Sequence, residues 1–252
     1  MDFFFEIHKD LPREGPGDTE STRKAFRKLA GLPEKPQILD IGCGPGAQTM
    51  DLALFSEGII HAVDTHQPFL DVLQQKIIEA GLQDRVKLHN QSMSALAFPP
   101  ASFDLIWSEG AIYIMGFENG LRSWKPLLKP EGYIAVTEAT WLKPDPPQEI
   151  RDFWQKAYPE MKTLEENLDL IHDCGYYLID YFVLPETSWS DEYYKPMQER
   201  INLLRERYQH DPQKLSILDE ESVEIQLYKK YSEYYGYVFY LMQNNAKEQK
   251  NY

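Results

Sequence analysis

Cysteine is nearly missing from this chain. Two in 252 residues, Cys43 and Cys174, exclude a disulfide framework. No apolar run is long enough to cross a bilayer, and the opening Met1-Asp2-Phe3-Phe4-Phe5-Glu6 is too short and acidic for a signal peptide. The cytoplasm is therefore the expected location. Basic residues are also in the minority, 26 Lys and Arg against 40 Asp and Glu, for a formal charge of −14. No cluster of them forms a face that would bind phosphates with release of counterions, so nucleic acid is not an expected partner. The length and a hydrophobic content of 42% suit one catalytic domain with appendages rather than two independent cores.

What is present is a glycine-rich turn. Residues 38–46 read Ile-Leu-Asp-Ile-Gly-Cys-Gly-Pro-Gly, an apolar strand breaking into three alternating glycines. Glycine is needed there because a side chain would block the turn and hold a ligand away from the amides that open the next helix. Gly42, Gly44 and Ala47 also satisfy the dinucleotide pattern, so spacing alone leaves two cofactor classes. Asp40 separates them: a carboxylate two positions before the first glycine would repel a pyrophosphate. It would welcome S-adenosylmethionine (SAM), which carries a sulfonium and an ammonium and no phosphate.

The next apolar strand, Ile59-Ile60-His61-Ala62-Val63-Asp64, ends in an acid 22 residues after Gly42, where a carboxylate accepts both ribose hydroxyls. A helical pattern from about Pro68 to Ala80 stops at Gly81, and Val86-Lys87-Leu88-His89 reads as a strand running into Asn90-Gln91-Ser92-Met93. On these residues the chain resembles the class I SAM-dependent methyltransferases, whose glycine loop, ribose acid and adenine turn match Gly42 to Gly46, Asp64, and Ser92 with Met93. Ser102-Phe103-Asp104-Leu105-Ile106-Trp107 resembles that family's fourth strand, and Leu127 to Val136 its turn into the fifth. The likeness covers roughly residues 36–140 and is greatest to small-molecule enzymes of the ubiquinone and menaquinone biosynthesis type.

The resemblance implies an α/β, Rossmann-like seven-stranded sheet in order 3-2-1-4-5-7-6, its last strand antiparallel and helices on both faces. It implies SAM as cofactor, S-adenosylhomocysteine as product, and a cofactor site made of Asp40, Gly42, Cys43, Gly44, Gly46, Gln48, Asp64, Thr65, Ser92, Met93 and Ser108. No metal is expected. DNA amino-methyltransferases resemble one another in an Asn or Asp with Pro-Pro and an aromatic after the fourth strand; here that position reads Ser108-Glu109-Gly110-Ala111. Asp145-Pro146-Pro147 lies too far on and reads as a stiffened loop.

The rest of the chain divides into an N-terminal helical segment, 1–35, expected over the cofactor site, with Asp18 or Thr19 capping a helix to about Ala30; a core of 36–184 and 236–243; an insertion at 185–235; and a tail, 244–252. Helical spacing at Tyr193, Met197, Ile201, Leu204 and Tyr208, and again at Val223, Leu227 and Tyr231, predicts two amphipathic helices in the insertion. They read as a lid over the acceptor pocket, with a homodimer interface as the competing reading.

Methyl transfer asks mainly for alignment and exclusion of water, but an acceptor that loses a proton needs a base. Glu109, after the fourth strand, is the first candidate. Glu138, expected after the fifth, is the second, and Tyr113 is an orienting group for the acceptor. His172 is expected on the surface. With 16 Tyr and 5 Trp in the chain, Trp141, Trp189, Tyr193, Tyr194, Tyr234 and Tyr235 fall in segments expected on the acceptor side and suit a small aromatic or apolar acceptor. The alternatives are a catalytically silent SAM-binding module and, less favoured, an NAD-dependent oxidoreductase.

Overall fold

The computed structural model describes residues 3–245. Short runs of β-branched and aliphatic residues flanked by turn-forming ones give β1 (Gln37–Ile41), β2 (Ile59–Asp64), β3 (Val86–Asn90), β4 (Phe103–Ser108), β5 (Leu128–Trp141), β6 (Lys162–Thr163), β7 (Tyr176–Val183) and β8 (Tyr235–Asn244). The helices are α1 (Phe3–His8), α2 (Thr19–Arg27), α3 (Ala47–Phe55), α4 (Gln67–Glu79), α5 (Phe117–Trp124), α6 (Gln148–Ala157), α7 (Leu164–Asp173), α8 (Glu186–Trp189), α9 (Lys195–Arg207) and α10 (Pro212–Tyr231).

The sheet runs β3-β2-β1-β4-β5-β8-β7. β8 is antiparallel to both neighbours, so this is the expected order of six parallel strands and one antiparallel. The expectation missed β6, two residues that pair in parallel with Thr140 and Trp141. β6 exists because β5 continues for 14 residues, well past the expected end at Val136. Glu138 accordingly lies inside β5, opposite Val238 of β8, and not in a loop after it.

The central strands are buried on both faces, as parallel strands sandwiched by helices must be. Alternate residues split into two cores. One holds Ile38, Leu105, Trp107, Ala135 and Phe239 under α2, α3 and α4. The other holds Leu39, Ile41, Ile106, Ile134 and Tyr240 under α5 and α7. Asp18 caps α2, accepting the Ser21 amide at 2.7 Å, and Thr163 and Glu166 form a reciprocal capping box on α7.

The insertion is α8, one π turn, α9 and α10, the last reaching back to Pro212 and therefore longer than its spacing suggested. Its Trp189 stacks on Tyr228 with centroids 4.6 Å apart, and Met197, Ile201 and Ile225 join the first core. Arg200 of α9 donates to the Glu6 carbonyl at 2.8 Å, which joins the insertion to α1. The expected tail at 244–252 begins inside β8; its residues 246–252, like Met1 and Asp2 of the N-terminal segment, lie outside the described residues.

Candidate cofactor and active site

β1 and β4 are neighbours, while the chain winds from β1 outward through β2 to β3, so a crevice opens where the carboxyl ends of β1 and β4 diverge. A cavity of about 330 Å³ lies there, within the range of small-molecule sites. The loop after β1 contributes Gly42, Cys43, Gly44 and Gln48, the end of β2 contributes Asp64 and Thr65, and the turn after β3 contributes Ser92 and Met93. Glu109 and Tyr113 come from the segment after β4. The structure thus brings together residues that the sequence placed in four separate stretches.

The loop holds its shape by local bonds. The Gly42 and Cys43 amides both donate to the Val63 carbonyl, at 2.9 and 3.0 Å. Gly42 has φ +74°, and a Cβ on it would stand 2.4 Å from the Ala111 side chain. Asp64 braces the other side, one carboxylate oxygen accepting the Gly44 amide at 2.9 Å and the other the His66 amide at 2.8 Å. Trp124 Nε1 donates to the Met93 carbonyl at 3.0 Å and fixes the turn after β3.

Three expected cofactor residues do not reach the cavity wall. Asp40 is fully buried, its carboxylate accepting from the Thr49 hydroxyl at 2.5 Å and from Gln48 at 3.4 Å. Burial pushes its pKa up to about 7 against the lowering effect of those bonds. It sits behind the first turn of α3 and touches the site through Gln48, so the charge argument had the right loop and the wrong depth. Gly46 packs on Leu73 of α4. Ser108 donates to the Ile41 carbonyl at 2.9 Å and splints β4 to β1.

Residues 13–16, inside the segment expected over the cofactor site but with Arg13 and Glu14 not singled out there, supply a further wall. Glu14, Arg13 and Gly15 line the cavity, and Glu14 Cγ lies 3.2 Å from where Gly44 would carry a Cβ. One Glu14 oxygen bonds His8 Nδ1 at 2.8 Å, while Oε1 is buried with no hydrogen-bond partner. Burial raises its pKa, against the pull of His8. Nothing in the pattern marks Glu14, because its role depends on a loop 30 residues away. Phe5 of α1 stacks on His66 at 3.6 Å and lines the cavity with Asp64.

Arg13 donates to Glu109 at 3.2 Å and to Asp51 at 3.3 Å. Glu109 also accepts from the Thr22 hydroxyl at 2.8 Å and Trp107 Nε1 at 2.9 Å. Burial raises its pKa and Arg13 lowers it. With three donors on it, Glu109 anchors the N-terminal segment to the end of β4. Glu138 is 2% exposed, outside the cavity wall, and its Oε2 has no partner; burial lifts its pKa to about 8, against lowering by Tyr158. Among the expected aromatics, Trp189, Tyr194 and Tyr235 converge with Tyr228, Trp141 and Tyr193 pack at the rim of that group, and Tyr234 turns to Tyr231 and Lys143. His172 lies on the surface, its side chain 83% exposed. No group of His, Cys, Asp and Glu suited to a metal ion occurs among the described residues, and no helix among them is long and apolar enough to cross a membrane.

Comparison with known proteins agrees with this geometry. Residues 38–132 match a family model described as a methyltransferase domain. A dimethylglycine N-methyltransferase of Parasynechococcus marenigrum is 32% identical over 122 residues, 48% of this chain and 44% of that protein. A sterol 24-C-methyltransferase of Neurospora crassa is 23% identical over 185 residues, 69% of this chain and 48% of that one; the chain thus spans less than half the length of these curated relatives. A SAM-dependent methyltransferase of Geobacter sulfurreducens, solved with S-adenosylhomocysteine, superposes with a TM-score of 0.83 at 20% identity, covering 96% of this chain and 97% of the other. The [4+2]-cyclase SpnF shares the fold with a TM-score of 0.71 at 19% identity, over 90% of this chain and 81% of that one. The glycine loop, the acid ending β2, the strand order and the match over residues 38–132 together identify a methyltransferase domain over those residues, in a chain with the class I methyltransferase fold.

Proposed function

We propose that the cavity binds SAM and that the chain transfers its methyl group to a small-molecule acceptor, releasing S-adenosylhomocysteine. The observation that carries this reading is the buried, unpartnered Glu14 Oε1 over Gly44, in one cavity with Asp64 and Arg13. A carboxylate there suits an ammonium, Arg13 a carboxylate, and Asp64 a pair of hydroxyls, which are the polar groups of SAM. Glu14 and Asp64 on one wall also disfavour a pyrophosphate, a better reason than Asp40 to set aside a dinucleotide. Bound there, SAM supplies a methyl on a sulfonium whose leaving group is a neutral thioether.

The chain's own part is positioning and exclusion of water. The bonds that fix the loop and Asp64 pre-organise the site, Phe4 and Phe5 of α1 cover it, and the Arg13–Glu109 bond locks residues 13–17 across it. The segment 1–35 is in this reading a cover for the cofactor, and the insertion 185–235 a roof over the acceptor. A silent SAM-binding module is the second reading. It draws on Glu109, already bonded to three donors and so without a free oxygen to act as a base.

Parallel calorimetric titrations with SAM, S-adenosylhomocysteine and NADH test the cofactor: the first two bind at micromolar strength and NADH does not. Turnover on phenols, quinols, amines and thiols, followed by S-adenosylhomocysteine release, then separates enzyme from silent module. Binding of NADH alone sinks the whole assignment.

A further inference from the structure

His61 of β2 and His89 of β3 are half-buried histidines that the site described above does not use, and they face each other. His61 Nδ1 and His89 Nε2 are 2.9 Å apart, a hydrogen bond between rings stacked at 5.1 Å and 19°. In the ladder His89 lies opposite Val63, two residues on from His61. The ring of Phe98 stands edge-on to both histidines, at 5.6 and 5.1 Å. Phe103 of β4 stands edge-on to His61 at 5.5 Å and to Phe98 at 5.1 Å. The pair and Phe98 thus hold down the segment that follows β3. Its start is cavity wall, for Gln91, Ser92 and Met93 line the site, and Gln91 comes two residues after His89. Its far end is tied back to that wall, because Gln91 Oε1 accepts the amide of Ala97, next to Phe98, at 3.0 Å.

Two ring nitrogens at that distance hold one proton between them, one ring donating and the other presenting a lone pair. The pair takes up one further proton with the bond intact, since an imidazolium still donates to a neutral ring. A second leaves no lone pair on the shared line and sets N–H against N–H and charge against charge. The neighbours do not offset that repulsion. Lys87 of β3, its ammonium donating to the Gln83 carbonyl at 2.9 Å, adds to it. Asp64 of β2 is turned to the Gly44 and His66 amides, and Asp104 of β4 to Lys129 and the Gln37 amide. β1 presents Leu39 and Ile41 on this face, and residues 91–102 contain no ionisable side chain. Burial lowers the pKa of both rings, and the charges of His89 and Lys87 lower that of His61 further. The unfolded chain therefore takes up these protons first. The stability that the neutral pair contributes is complete above the ordinary histidine pKa of about 6.5 and is lost as pH falls below it.

We infer that the His61–His89 pair is an acid-sensitive brace for the cavity wall that follows β3. While the rings share their hydrogen bond, Phe98 stays seated on them and Gln91, Ser92 and Met93 keep the shape of the wall. With a proton taken from solvent on each ring the pair parts, Phe98 lifts, the bond from the Ala97 amide to Gln91 is lost and the wall loosens. The consequence for cofactor affinity rests on the SAM reading above, whereas the brace itself does not.

The test uses the full chain. Nitrogen-15 spectra of the histidine rings, recorded from about pH 8 down to about pH 5, show His61 and His89 titrating together in two separated steps, the second below the range of free histidine. Calorimetric titration shows S-adenosylhomocysteine affinity falling at least about fivefold between roughly pH 7.5 and pH 5.5. His89→Gln isolates the pair, because its amide reaches the place of Nε2, accepts from His61 in either charge state and does not titrate, while Glu14, His8 and the other cavity groups are unchanged. In that variant the loss shrinks to less than about twofold. His61→Asn, the matching replacement for Nδ1, behaves alike and serves if His89→Gln fails to fold. Rings that titrate independently at the free value, a native affinity that does not fall, or a loss as steep in the variants as in the native chain overturns the brace. If S-adenosylhomocysteine does not bind at about pH 7.5, the cofactor reading falls. Hydrogen-exchange protection of the Ala97 amide then decides the brace alone: lost in acid by the native chain and kept by His89→Gln if it holds, unchanged in both if it does not.

Discussion

Two aspartates near the same loop have opposite fates. Asp64 stands in the cavity wall with each oxygen holding one backbone amide, which leaves lone pairs for a ribose. Asp64→Ala should weaken SAM binding by on the order of 1.5–3 kcal/mol, roughly tenfold to a hundredfold in Kd, because charge-assisted hydrogen bonds are lost; unchanged affinity in calorimetry would remove Asp64 from the site. Asp40 is buried behind α3, and burial raises its pKa from 3.8 to about 7. The folded chain keeps this proton over a range where the unfolded chain has released it. Its favourable contribution is therefore complete below about pH 4 and is lost as pH rises towards 7. Urea unfolding should show Asp40→Asn gaining stability relative to the native chain between pH 5 and pH 8, and a constant difference would contradict the burial argument. Asp64 was legible in the sequence because an acid closing a second strand has a fixed place relative to the loop. Glu14 was not, since its partner Gly44 is brought to it only by folding.

Elements show the same division between short-range and long-range causes. The glycine loop could be read residue by residue because its demands are local. Gly46, at φ +87°, adds a tertiary one, for a Cβ there would stand 2.2 Å from Leu73 Cδ1 of α4. Gly46→Ala should cost about 1–3 kcal/mol from backbone strain and overpacking, seen as a lower urea midpoint with an unchanged slope; an unshifted midpoint would show that Leu73 moves aside freely. The length of β5 was misread because Thr137 to Trp141 follow a glycine turn and a short apolar run, which reads as a finished strand. Pairing with β8 along nine residues extends it, and pairing partners distant in sequence leave no periodic trace. The same extension turned Glu138 from a loop acid into a buried one.

For the whole molecule, the insertion and the sheet share one core. Trp189, Met197, Ile201 and Ile225 pack in the same cluster as Ile38, Leu52 and Trp107. Unfolding should therefore be a single cooperative event, with near-ultraviolet and far-ultraviolet circular dichroism transitions superimposing; an earlier loss of the aromatic signal would mean that the insertion melts alone. Such packing makes 185–235 an integral part of the fold. By itself the sequence determined the glycine loop, the place of Asp64 at the end of β2 and the turn at Ser92 and Met93, since each depends on spacing within one short segment, while the strand order was what the resemblance carried by those segments implied. The tertiary structure alone decided that Asp40 is hidden, that Glu109 is tied to Arg13 and Thr22, and that Glu14 and Glu138 each hold one buried oxygen without a partner. The reason is physical: whether a carboxylate is solvated, paired or stranded depends on what the rest of the chain packs against it, and those neighbours lie up to 100 residues away along the chain, as Val238 does from Glu138.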